Sequence, residues 1–108
     1  MRILAIDDTR ELPEAHVLAR NFNEGLRQLE LNGPWDLLLL DHDLASFDSD
    51  GVEKTGYNIM CFLEENPHLM PKKIECVSAN PVGRSRIVAM IVRLNEQAKQ
   101  TPGDGGNI

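Results

Sequence analysis

The segment Leu37-Leu38-Leu39-Leu40-Asp41-His42-Asp43-Leu44 sets two carboxylates around an imidazole directly after four leucines. Charge at the end of a buried apolar run is costly unless something compensates it. A second acidic pair, Asp7-Asp8, closes another apolar run, Ile3-Leu4-Ala5-Ile6. In a parallel sheet, strand C-termini share the edge where α/β proteins bind ligands. If the two runs are neighbouring strands, their ends lie about 4.8 Å apart. Asp7, Asp8, Asp41 and Asp43 would then repel one another strongly. A hard divalent cation relieves that repulsion. Mg²⁺ suits it, taking one or two carboxylates and keeping sites for water and phosphate. The plainer reading makes both acidic groups solvated turn residues. His42 has the side chain for general acid–base work. Strand alternation directs it away from Asp41 and Asp43, a rule that lapses if the strand stops at Leu40.

A second constellation is Ser78-Ala79-Asn80-Pro81-Val82-Gly83-Arg84, followed by Arg86. Asn80 fits a helix cap and Pro81 the first helical residue. Capping leaves the arginines unexplained, because cations in the first turns oppose the positive end of the helix dipole. An anion at that helix start would be held by free N–H groups and guanidinium together. Ser78 ends the preceding strand and faces the same edge. Ser78, Asn80 and Arg84 therefore form a candidate phosphate site, with solvated arginines as the alternative.

These residues need a scaffold of alternating strands and helices. Arg2–Asp7 and Leu37–Leu40 are apolar enough for strands buried on both faces. His16–Arg20 is less apolar and fits an edge strand. Ile74–Ser78 is the fourth. Phe22, Leu26 and Leu29 recur at helical spacing and stop at Gly33-Pro34. Thr55–Asn66 carries Ile59, Phe62 and Leu63 on one face, with Thr55 as cap and Gly56 allowing close backbone approach. Ile87, Met90, Ile91 and Leu94 mark the last helix. Residues 45–54 read as a polar loop, and Trp35 as core. The class is α/β, with a mainly parallel four-stranded sheet of order 2-1-3-4 and three helices. Only about eight residues join strands one and two, fewer than a helical crossover needs. An extended loop is favoured over an antiparallel pairing. Residues 1–98 form one domain and 99–108, ending in PGDGGNI, a disordered tail.

With 108 residues and a formal charge of −6, the chain has no basic face for duplex DNA. It has no apolar stretch long enough to span a membrane and no signal-peptide pattern, so it is expected in the cytoplasm. Cys61 and Cys76 lack metal-ligand spacing and read as buried thiols.

The segments AIDDTRELP, LLLLDHDL, TGYN and SANPVGR together resemble the cyclic-phosphate processing receiver family, over nearly the whole chain to about residue 95. The resemblance implies a small three-layer, receiver-like (flavodoxin-like) α/β domain with a truncated sheet. It implies an acidic site of Asp7, Asp8, Asp41 and Asp43 for Mg²⁺ or another divalent ion. Arg10, Ser78, Asn80 and Arg84 would bind phosphate, and Asp41 and His42 would carry the chemistry. The activity it implies is metal-dependent hydrolysis of a cyclic phosphate, on a small molecule, a nucleotide or an RNA end. The alternative is a non-catalytic module that binds a phosphorylated ligand or partner. Three positions depart from the family pattern: Val77 replaces a histidine, Ala45 a glycine and Asn58 an aspartate. The first leaves His42 as the histidine nearest the acids. Response-regulator receivers also carry a lysine at the end of a fifth strand. This chain shows neither, which argues against conventional phosphotransfer.

Overall fold

The two most apolar runs become the two central strands. In a computed structural model, which describes residues 1–99, β1 is Ile3–Ile6 and β3 is Leu37–Leu40. They pair in parallel, Ile3 with Leu37 through Ile6 with Leu40. β2 (Val17–Ala19) adds in parallel beside β1, and β6 (Lys73–Cys76) beside β3. The sheet order is β2-β1-β3-β6, as expected, and every pairing is parallel.

The connection from β1 to β2 is an extended loop, residues 7–16, with a turn closed by the Ala15 amide on the Leu12 carbonyl. A short piece, β4 (Ser46–Phe47) with β5 (Glu53–Lys54), forms an antiparallel hairpin inside the segment expected to be a polar loop. Asp48 organises its tip by accepting the amides of Asp50 and Val52, an Asx-type turn.

Three helices follow the expected pattern. α1 (Phe22–Asn32) is capped by Asn21, whose side chain accepts the Glu24 amide. α2 (Gly56–Glu65) starts with a capping box. Thr55 accepts the Tyr57 amide and Asn58 accepts the Thr55 amide. Asn58 thus supplies the acceptor oxygen that an aspartate would supply there. α3 (Pro81–Lys99) is capped by Asn80, whose Oδ1 accepts the Val82 and Gly83 amides. The expected tail lies, beyond Lys99, outside the described residues.

All three helices share one buried cluster with Leu4, Ile6, Leu38 and Leu40. The crossovers β2–α1–β3 and β3–α2–β6 step the same way across the sheet. Right-handed connections therefore place α1 and α2 on one face. The other face, with Ile3, Ala5, Leu37 and Leu39, contributes nothing to that cluster. The β1–β2 connection steps the opposite way and so runs on this second face without a helix. Among the described residues all three helices contribute to the cluster on the Leu4, Ile6, Leu38 and Leu40 face, and the loop between β1 and β2 is too short to hold another helix. Ala5 and Leu39 are nonetheless buried. Trp35 is core, whereas Cys61 and Cys76 are only half-buried against it.

Candidate functional site

Parallel pairing of β1 with β3 carries Asp7 and Asp41 to the same edge. The Asp41 amide donates to the Ile6 carbonyl (2.9 Å) and the Asp7 amide to the Ala19 carbonyl (3.0 Å), so both residues extend the ladder. Asp7, Asp8 and Asp41 each offer an oxygen, and these oxygens lie within 4.8 Å of one another. Asp7 is fully buried. Its Oδ1 accepts the amides of Thr9 (3.0 Å) and Arg10 (2.8 Å), which fold the loop around it. Its Oδ2 has no hydrogen-bond partner among the described residues; Arg10 Nη1, likewise unpartnered, stands 3.6 Å away. An orphaned acceptor in a buried carboxylate is expensive.

Asp41 is also buried. Burial pushes its carboxyl above the ordinary carboxylate value, and the Asp7 charge adds to that, while hydrogen bonds from Ser78 and the following amides pull it back. Three close carboxylates, two of them buried, with an unsatisfied oxygen among them, form an all-oxygen donor set. That chemistry fits a hard divalent cation.

Asp43 does not join this group. Its carboxylate accepts from His42 Nδ1 (2.8 Å) and lies 3.3 Å from Asn80 Nδ2. The bond from His42 holds the Asp43 carboxyl below its ordinary value, against a weaker upward push from burial. Because β3 stops at Leu40, alternation no longer applies, and His42 turns toward Asp43 rather than away. The His42 side chain is 12% exposed and its Nε2 is buried without a hydrogen-bond partner. The His16 Nδ1 instead accepts the Ile3 amide at the start of β1, and His68 lies in the 3₁₀ turn Pro67–Leu69 before β6. His42 is the histidine at the acidic edge, as expected.

The Ser78–Arg84 segment closes largely on itself. Ser78 is buried close to Asp41, and its hydroxyl accepts the Asn80 amide. Asn80 occupies the amides of Val82 and Gly83, and its carbonyl takes that of Arg84. Those N–H groups, expected to be free for an anion, are thus already bonded. Arg84 reaches back to the Cys76 carbonyl at the end of β6 (2.8 Å), and Arg86 stacks over Tyr57, 4.6 Å from the ring centre. Both arginines so acquire partners that helix-dipole reasoning alone does not reveal.

Two structural residues escape sequence reasoning. Arg20 braces the acidic loop through the Arg10 carbonyl (2.8 Å) and Glu11 (2.9 Å). Ser46 accepts the Phe22 amide and donates to the Leu44 carbonyl, tying α1 to the chain beyond the site. Neither belongs to a recognisable spacing. Gly56 does: a Cβ there would overlap the Asp41 carbonyl, so the close approach expected of it is real.

A short parallel sheet with an acidic pair after β1 and a third aspartate after β3 defines a receiver-like α/β domain. The family model of the cyclic-phosphate processing receiver domain matches residues 2–93, and the chain belongs to that family. No curated protein and no solved structure matches it. No helix of the described residues is long and apolar enough to cross a membrane.

Proposed function

We propose that this domain is a metal-dependent phosphoesterase that opens a cyclic phosphate on a nucleotide or an RNA end. The observation that carries the reading is the meeting of Asp7, Asp8 and Asp41 within 4.8 Å, with one oxygen of the buried Asp7 unsatisfied. The family description supports a ligand bearing a cyclic phosphate. A bound divalent ion would supply positive charge to the phosphate as its own charge develops. Asp7, Asp8 and Asp41 would hold that ion. The chain's own cations and donors would do the orienting. Ser78, beside Asp41, can turn its hydroxyl to a phosphate oxygen. Arg10 has an unpartnered nitrogen facing the acids. Arg84 would exchange the Cys76 carbonyl for a charged acceptor, a stronger bond.

The test is turnover of a 2′,3′-cyclic nucleotide in Mg²⁺ or Mn²⁺, with Asp41→Asn as control. Turnover that needs the metal and vanishes in the variant supports the proposal. Nucleotide binding without turnover selects the other reading, a module that captures a phosphorylated ligand.

A further inference from the structure

His42 adjoins Asp41 at the acidic edge, yet it is not among the groups whose ligand atoms meet there, and little of its side chain is exposed. Nδ1 is engaged by Asp43, and Nε2 is buried. An ionised carboxylate only accepts, so Nδ1–H is the donor of that bond. Nδ1 is thus committed to Asp43, and Nε2 has no hydrogen-bond partner among the described residues. What the residue does follows from its neighbours. Its ring lies on the first turn of α3, where a Cβ on Gly83 would overlap it. Its carbonyl accepts the Gly56 amide at the first turn of α2 (2.8 Å). Asp43 continues to Asn80, the cap of α3. Residues 41–43 are therefore threaded between the starts of two helices, and His42 contacts both.

We infer that His42 is a positioning residue: its Nδ1–H···Asp43 bond and its ring on Gly83 hold Asp41 in place beside Asp7 and Asp8. The assignment rests on the reading of those three aspartates as a divalent site. It departs from the proton-carrying role that the residue type invites.

The experiment compares His42→Ala, His42→Phe and His42→Asn. Phenylalanine keeps ring volume without a donor, and asparagine carries an N–H where Nδ1 stood. Mn²⁺ titration of the whole chain is the first measurement. Loss of a group that orients a ligand typically weakens metal affinity about 10–100-fold. That loss is expected in His42→Ala and His42→Phe, with His42→Asn recovering most of it. The second measurement needs no metal: a double-mutant cycle of each variant with Asp41→Asn, read as urea midpoints. If His42 holds Asp41 against Asp7 and Asp8, removing the donor lets Asp41 relax away. The stabilising effect of Asp41→Asn then shrinks in the His42→Ala and His42→Phe backgrounds and persists in His42→Asn. If the ring only fills space, the cycle with His42→Phe is additive, because phenylalanine keeps that volume. An additive His42→Phe cycle, or His42→Asn as defective as His42→Ala, overturns the inference. If the wild-type chain does not bind Mn²⁺, the divalent-site reading falls, and the cycles still test the positioning role. Should His42→Ala not fold, the Phe and Asn pair makes the same comparison.

Discussion

Replacing Asp41 by asparagine should stabilise the metal-free protein and abolish its response to divalent ions. Asp41 has two carboxylate oxygens within 4.8 Å, from Asp7 and Asp8. At an effective dielectric constant of about 20, one such pair repels by roughly 3 kcal/mol. Asp8 is half-exposed, so its share is reduced by solvent. Against the relief stands the weakening of the bonds from Ser78 and the following amides. A hydrogen bond to a charged acceptor contributes about 1.5–3 kcal/mol, and a neutral one about 1. The net expectation is a gain of about 1–2 kcal/mol, or a melting temperature higher by roughly 5–10 °C for a domain of this size. In wild type, Mn²⁺ at a hundred times its dissociation constant should add about 2.7 kcal/mol, a shift absent from the variant. The sign with pH follows from the raised Asp41 value. The folded state binds the proton more tightly than the unfolded state, so wild-type stability falls as pH rises through the window above 3.8. The advantage of the variant is complete above the folded value of Asp41 and gone below 3.8. Thermal melts of both proteins at neutral and acid pH, with and without Mn²⁺, measure all of this. A metal-free variant that melts lower than wild type at neutral pH, or an unchanged Mn²⁺ shift, would refute the reasoning.

Three further substitutions probe the elements around the acids. Gly56→Ala drives a Cβ into the Asp41 carbonyl and should cost about 1–3 kcal/mol in urea unfolding, with weaker Mn²⁺ binding because Asp41 must shift. Ala45 has a φ of 49°, in the left-handed region where a Cβ is strained. Ala45→Gly should raise stability by about 0.5–1 kcal/mol in the same assay, the strain relief exceeding the entropy that glycine adds to the unfolded chain. Arg84→Ala removes the bond to the Cys76 carbonyl and should cost about 0.5–1.5 kcal/mol of stability. In calorimetric titration it should also weaken nucleotide binding if Arg84 holds phosphate as proposed, and equal affinities would remove it from that role.

The scaffold and the meeting of the acids were legible in the sequence. Two runs buried on both faces can only be central strands, and parallel neighbours with aspartates at their C-terminal ends must bring those aspartates together. Asp7 and Asp41 follow from that alone. The caps at Thr55 and Asn80 were equally legible, because a cap is a local bond between near neighbours. The close approach at Gly56 announced itself by residue type. What lay beyond the strand ends was not legible. Once β3 stops at Leu40, no period fixes side-chain direction. The course of His42 and Asp43 is then set by α3, which lies some forty residues further on, and Asp43 goes to Asn80 instead of the acids. Arg84 shows the same limit, since its partner is a carbonyl on another element that only packing brings within reach. The β4–β5 hairpin escaped because strands of two residues carry no alternation to read.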